Sequence, residues 1–175
     1  MLDFMKAFLS TPDGGEQTKE QPLSDHVKFI QEILGDMGIG NDYKEISKQD
    51  GGGYVFEKFA GSAGFYIGLR RNETLKANTI FFMAPILRIP QDNQLEFYKK
   101  CLELNDAMVG CALSLDNDIV RVVAERELMG LDEVEFKAMM HSVALSANDL
   151  DDRLSAAFGA QMLGLGLKKP EDAIR

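Results

Sequence analysis

Cysteine and histidine are scarce in this sequence, with two of each among 175 residues. Cys101 and Cys111 stand in apolar surroundings and do not form a CxxC pair, so we expect small buried side chains and neither a disulfide framework nor a zinc site. His26, expected at the surface, and His141, expected to be partly buried, lack a partner at the spacing of a nucleophile or a ligand. The sequence therefore predicts no catalytic, cofactor-binding or metal-binding residue, and a cytoplasmic, non-enzymatic protein.

Long apolar runs are also missing. Charged residues such as Arg88 and Lys99 interrupt every hydrophobic stretch before about eighteen residues have passed, which is the length needed to span a bilayer. Residues 1–9 are apolar, but the run is short and Asp3 occupies the place of the positive residues of an export signal. We therefore expect no membrane partner and no signal peptide.

Basic residues are outnumbered. Nineteen Lys and Arg face 28 Asp and Glu, which gives a formal net charge of -9. Nucleic-acid affinity comes mainly from cationic side chains that neutralise phosphates, so an acidic surface opposes it. The composition predicts no nucleic-acid partner.

Motifs for phosphate or calcium are incomplete. The glycines of residues 35–40 close a predicted helix, whereas a phosphate-binding loop connects a strand to the start of a helix. Residues 51–53 are three glycines without the GK[ST] of a P-loop, and residues 116–118 lack the length and the final glutamate of a calcium loop. We interpret these segments as a helix end and two turns.

The chain divides into one domain and two tails. Residues 1–21 are predicted to be an N-terminal arm and flexible linker, because residues 10–21 contain Pro12, Gly14 and Gly15 and no apolar periodicity. Residues 22–160 form the domain, which is long enough for one core. Residues 161–175, which begin with alternating leucine and glycine, form a C-terminal tail.

Hydrophobic periodicity predicts the first half of the domain. A helix capped by Ser24 carries apolar residues at helical spacing up to Gly38. Residues 43–47 form a short strand, and residues 54–60, 65–71 and 79–87 form an antiparallel meander of aromatic and β-branched residues. Phe81 and Phe82 are adjacent, so both faces of the third long strand are apolar.

The second half begins with a helix capped by Asp92 or Asn93, whose predicted buried stripe contains Leu95, Tyr98, Cys101 and Leu102. A hairpin of residues 109–115 and 119–128 follows, with a turn at Asp116 and Asn117. Then comes the strongest local signal, a capping box of Asp132 and Glu135 flanked by the hydrophobic staple of Leu131 and Phe136. It predicts a long helix that ends at Gly159.

The fold class is therefore α+β, an antiparallel sheet with flanking helices in the order α-β-β-β-α-β-β-α. Residues 80–86 (IFFMAPI), 97–105 (FYKKCLELN), 110–116 (GCALSLD) and 121–128 (RVVAEREL) follow that order. Over residues 24–158 the chain resembles the YbjN family and the type III secretion chaperones. The resemblance implies a secretion-chaperone-like fold, a protein partner and a homodimer.

We therefore predict a non-enzymatic protein-binding module, chaperone-like or regulatory, that engages a flexible segment of a partner protein. The second helix and the following hairpin carry more apolar residues than one sheet face needs, which also favours a homodimer. Strand 65–71 is predicted to offer an edge for strand addition. A small-ligand-responsive regulatory domain is the alternative, and an enzyme of unrecognised mechanism is a third. The predicted partner-binding residues are Ile30, Ile33, Phe65, Ile67, Phe81, Phe82 and Met83.

Overall fold

A computed structural model describes residues 22–46, 53–60 and 63–163. These residues form three helices and six strands in the predicted order, with a short additional strand before the meander. The predicted arm and linker, residues 1–21, and residues 164–175 of the predicted tail lie outside the described residues. The elements are α1 (Leu23–Asp36), β1 (Lys44–Ile46), β2 (Gly53–Ala60), β3 (Ala63–Asn72), β4 (Ala77–Arg88), α2 (Gln94–Ala107), β5 (Ala112–Asp116), β6 (Ile119–Glu127) and α3 (Glu133–Phe158).

The six strands form one antiparallel sheet in the order β1-β2-β3-β4-β6-β5. The predicted meander and hairpin are confirmed, and the predicted short strand at residues 43–47 is β1. The prediction that residues 65–71 offer an edge is wrong, because β3 pairs with β2 on one side and with β4 on the other. Among the described strands, β1 and β5 lie at the two edges.

The two faces of the sheet are both apolar at β4, as predicted from the adjacent Phe81 and Phe82. Ile80 and Phe82 join the main core, which also contains the buried hydrophobic residues of all three helices. Phe81 and Met83 belong to a separate small cluster on the opposite face. The described helices therefore cover one face of the sheet, and we call the other the open face.

Helix α1 packs on the sheet through Val27, Ile30, Ile33 and Leu34, which are spaced three and four residues apart and are all buried. The prediction that Ser24 caps this helix is wrong. Pro22 occupies the N-cap position and Ser24 lies in the first turn, consistent with the fixed φ of proline at a helix start.

Helix α3 has the predicted start and end. The Asp132 carboxylate accepts a hydrogen bond of 2.8 Å from the backbone N–H of Glu135, and the helix ends at Gly159 with a left-handed φ of 62°. Phe136 is fully buried, with its ring centroid 5.2 Å from that of Phe82 in an edge-to-face arrangement. This contact fixes the helix on β4.

The second hairpin is shorter than predicted. Strand β5 begins at Ala112, because Gly110 has a φ of 75° and turns the chain before it joins the sheet. The predicted tight turn is confirmed, since Asn117 has a φ of 53° between the paired residues Asp116 and Ile119. Three residues, Val109 to Cys111, thereby stay outside the sheet.

The chain returns to the sheet after α3. The backbone N–H of Arg88 donates to the carbonyl of Gln161 at 2.9 Å, and the N–H of Leu163 donates to the carbonyl of Ile86 at 3.0 Å. The first residues of the predicted C-terminal tail are therefore hydrogen-bonded to the end of β4.

Candidate functional site

Helix α2 lies against the β5–β6 hairpin at one edge of the sheet. Phe97 is fully buried, and its ring centroid is 5.3 Å from that of Phe158 at the end of α3. Cys101 and Leu104, which follow Phe97 at spacings of four and seven residues, also pack against the core. The inner face of α2 is therefore defined by Phe97, Cys101 and Leu104.

The prediction that Leu95 and Leu102 belong to the buried stripe is wrong. Their exposed fractions are 79% and 70%. They are seven residues apart, so they lie together on the outer face of the helix. The aromatic ring of Phe97 buries more apolar area than a leucine side chain, which favours the rotation of α2 that places Phe97 inside.

Two further apolar residues near this helix are exposed. Val109, in the turn after α2, is 86% exposed, and Leu115, near the end of the edge strand β5, is 47% exposed. We call Leu95, Leu102, Val109 and Leu115 the α2–β5 surface. Leu102 and Leu115 line the same cavity, whereas Leu95 and Val109 lie towards the two ends of α2. Exposed apolar groups mark protein-interaction sites when they form a patch.

A cavity of about 190 Å³ opens between α2 and the hairpin. The side chain of Asn105 both accepts from the N–H of Leu113 at 2.6 Å and donates to its carbonyl at 3.2 Å, so its hydrogen-bonding groups connect α2 to β5. The cavity is smaller than the roughly 300–1,000 Å³ of small-molecule sites. Its lining residues are Phe97, Tyr98, Cys101, Leu102, Asn105, Leu113, Ser114, Leu115 and Val120.

The surroundings of Cys101 disfavour nucleophilic chemistry. Burial raises the pKa of the Cys101 thiol to about 11, so that the thiol stays protonated at neutral pH. Cys111 Sγ lies 3.4 Å from Ser146 Oγ and contacts the backbone of α3. Both cysteines are unpaired.

The seven predicted partner-binding residues are all buried, with exposed fractions of no more than 6%. Ile30, Ile33, Phe65, Ile67 and Phe82 lie together in the main core between the sheet and the helices. Phe81 and Met83 lie on the open face. A partner could contact the first five only if the core opened, whereas the last two are on a face that no described helix covers.

The open face carries a cluster of four residues, Val55, Tyr66, Phe81 and Met83, which we call the open-face cluster. The ring of Phe81 lies on Gly68 of the neighbouring strand, and the Arg70 guanidinium lies 5.2 Å from the ring centroid. Arg70 is held by Glu125 at 2.9 Å. Desolvation by burial, and secondarily the nearby Glu57 carboxylate, raise the pKa of Tyr66.

The remaining candidate residues do not converge on a site. His141 is exposed, which corrects the prediction that it is partly buried, and Asp118 pairs with Arg88 next to the hairpin turn. Within residues 22–46, 53–60 and 63–163, no three His, Cys, Asp or Glu side chains are grouped as metal ligands would be. Over the same residues, we find no helix with both the length and the apolar character needed to cross a bilayer.

Comparisons with known proteins give the fold but not a family. No protein-family model matches the chain, and no curated protein matches it. The structure of the ExsC–ExsE complex aligns with a TM-score of 0.54 at 14% identity, covering 75% of this chain and 95% of the other. YbjN from E. coli aligns with a TM-score of 0.50 at 13% identity, covering 78% and 95%.

A third structure, the HopA1–SchA chaperone–effector complex, has a TM-score of 0.49 at 11% identity and covers 75% of this chain and 98% of the other. The first two alignments span nearly the whole of the compared chains. The chain therefore has the YbjN and secretion-chaperone-like fold, and the fold predicted from its sequence resemblance is confirmed.

The sequence predicts more apolar residues in α2 and the following hairpin than one sheet face can cover. It does not show which of these residues are exposed. The signal is that α2 has two apolar stripes, one through Phe97 and Cys101 and one through Leu95 and Leu102. A single sheet face covers only one of them.

Proposed function

We propose that this chain is a non-enzymatic protein-binding module, chaperone-like or regulatory, that engages a flexible segment of a partner protein. The observation that carries the proposal is the α2–β5 surface, where the exposed Leu102 and Leu115 line a cavity whose lining amide is already hydrogen-bonded. Such a surface suits apolar side chains of another polypeptide better than a polar small molecule. The fold shared with one chain of the ExsC–ExsE complex supports a protein partner.

We propose further that the chain forms a homodimer through this surface when no partner segment occupies it. A two-fold interface brings the same patch of each copy together, so Leu95, Leu102, Val109 and Leu115 of one copy would be buried against those of the other. The edge strand β5 lies beside the patch and its outer backbone groups are available for pairing within the described sheet. Two unpaired cysteines are consistent with a reducing cytoplasm as the location.

Mass measurement tests the dimer. Light scattering of the purified chain at micromolar concentration should give twice the chain mass of 19.4 kDa. Leu102→Gln should shift the mass toward the monomer, because it places a polar group in the apolar patch, whereas the adjacent control Glu103→Gln should leave it unchanged. A monomeric mass for the unmodified chain would remove the homodimer from the proposal.

The partner segment is tested by hydrogen exchange. A candidate partner is first captured with the full chain and then purified. It is added to the chain, and the backbone amides whose hydrogen exchange becomes slower are mapped. The sequence-based prediction places protection in residues 54–87 or 27–37, and the exposed α2–β5 surface adds residues 94–115 as a third place for it. Protection confined to the two termini, or a partner that fails to bind when purified, would defeat the protein-binding proposal.

A further inference from the structure

The cavity between α2 and the β5–β6 hairpin leads from an exposed rim to a buried floor. Leu102 and Leu115 form the rim, with exposed fractions of 70% and 47%. Phe97, Leu113 and Val120 form the floor and belong to the main core, with exposed fractions of 0, 8 and 3%. A group that enters past the two leucines therefore contacts residues of the main core.

The lining carries no charge, and its one amide is already hydrogen-bonded. Among the described residues that line the cavity there is no Asp, Glu, Lys, Arg or His. The Asn105 side chain is bonded to the backbone of Leu113 at 2.6 and 3.2 Å. Ser114 lies between Leu113 and Leu115 in β5, so its side chain points to the opposite face of the sheet. Because burial of a charged or unpaired polar group is unfavourable, the cavity selects an uncharged apolar group.

The volume of the cavity fits one large side chain. An apolar cavity of about 150 Å³ holds one benzene molecule. The cavity here is about 190 Å³, so it has room for one aromatic ring or one branched aliphatic group but not for two. A methyl group would leave most of the space empty, and the lining atoms would then lack dispersion contacts on one side.

The rim favours a polypeptide over a free small molecule. A molecule that only fills the cavity would leave the side chains of Leu102 and Leu115 in contact with water. A side chain that belongs to an extended segment brings its neighbouring residues with it, and these residues cover the rim. A buried anchor surrounded by contacts that exclude water is the usual arrangement at the centre of a protein–protein interface.

We propose that this cavity is an anchor site that receives one phenylalanine or leucine side chain from the flexible segment of the partner protein. The inference rests on the proposed protein-binding function and names the residue type that the partner supplies. Residues next to the anchor lie on Leu102 and Leu115. Alanine at the anchor position is too small for the cavity, and a charged residue is excluded by the uncharged lining.

Amide NMR tests the residue type without a known partner. The full ¹⁵N-labelled chain is titrated with N-acetyl-phenylalaninamide, N-acetyl-leucinamide and N-acetyl-alaninamide. The first two compounds should shift the amide signals of residues 97–105 and 113–120 in a saturable way. The alanine compound should bind at least about tenfold more weakly, because it has far less apolar area to bury.

A cavity-filling variant tests the location. Cys101 is one of the lining residues, so Cys101→Leu places additional apolar volume in the cavity. This variant should lose the shifts, whereas Lys100→Gln, at the neighbouring exposed position, should retain them. Circular dichroism checks that both variants are folded. Leu115→Gln, which changes the exposed rim, should also weaken binding and takes the place of Cys101→Leu if that variant does not fold.

Four results of the titrations would overturn the inference. Equal binding of the three compounds would show that the cavity does not select a large side chain. Unchanged binding to a folded Cys101→Leu variant would place the compounds elsewhere. Binding of toluene without binding of either large compound would make a free small molecule the occupant. Loss of the shifts when the chain concentration is raised would make a second copy the occupant.

The purified partner separates this inference from the proposed function. Its affinity should be at least about tenfold lower for Cys101→Leu than for Lys100→Gln, as expected when a central anchor is lost. Equal affinity for the two variants would overturn the anchor site and leave protein binding in place. Absence of binding to every form of the chain would instead remove the proposed function, and with it the partner's anchor, whatever the cavity accepts in the titrations.

Discussion

Gly68 is the position where the open face tolerates least change. A Cβ built on Gly68 would lie 1.9 Å from Cζ of Phe81 and 2.2 Å from Cε1, because the aromatic ring lies directly on the glycine backbone. Gly68 and Phe81 are opposite each other in the β3–β4 ladder. Gly68→Ala therefore requires the Phe81 ring to move, although Arg70 on the same face restricts where it can go.

The expected cost of Gly68→Ala is about 1 to 3 kcal/mol, the usual range for overpacking a well-packed site. Replacing a strand glycine by alanine otherwise stabilises the folded protein. A loss of stability in Gly68→Ala would therefore report the clash with the Phe81 ring and not a change in backbone freedom. The clash should disappear when the ring is removed. In a Phe81→Val background, Gly68→Ala should therefore cost less than about 0.5 kcal/mol, which gives the pair a coupling energy of roughly 0.5 to 3 kcal/mol.

Urea denaturation followed by far-UV circular dichroism measures these differences, since the chain has no tryptophan. Gly40→Ala is the control, because a Cβ at Gly40 meets nothing within 4 Å and its φ is not positive. Its stability should be unchanged or slightly raised. A neutral Gly68→Ala, or one whose cost is the same with and without Phe81, would refute the packing of the ring on the glycine.

Three further predictions concern the domain as a whole. Removal of residues 1–21 should leave a cooperative unfolding transition in circular dichroism, and loss of that transition would place the arm in the core. Phe136→Ala should cost about 3 to 5 kcal/mol by urea denaturation, whereas Asp132→Ala should cost about 1 kcal/mol as a lost cap, and equal small effects would contradict the burial of Phe136. In a Cys111→Ser variant, alkylation of Cys101 should accelerate about tenfold per pH unit up to pH 10, because burial raises the thiol pKa to about 11 and only the thiolate reacts; a plateau near pH 9 would contradict this.

The fold was predictable because its signals are local. Alternation places Phe65, Ile67 and Leu69 on one side of β3, and the Asp132 cap starts α3 where the sequence indicates. Strand order is not local. The sequence could not show that β6 pairs with β4, since alternation within the strands does not indicate which edge of the meander the second hairpin joins.

The site was less predictable because burial depends on which of two apolar surfaces a neighbour covers. Periodicity gives α2 two stripes, and it cannot decide between Phe97 and Leu102 without knowing how the helix lies on the hairpin. The adjacent Phe81 and Phe82 correctly indicated two apolar faces for β4. They did not indicate that Phe81 packs on Gly68 or that three other buried residues, Val55, Tyr66 and Met83, surround it.

The two apolar surfaces should act independently, because different sides of the domain form them. Leu102 projects from the outer face of α2, while Met83 is in the open-face cluster on the side of the sheet away from the helices. Sites that share no contacts usually have additive effects. Leu102→Gln should therefore change the mass of the purified chain without changing the oxidation rate of Met83 in hydroxyl-radical footprinting. If Leu102→Gln alone accelerated the oxidation of Met83, the open face would be covered by the second copy, and the dimer would be formed by both surfaces.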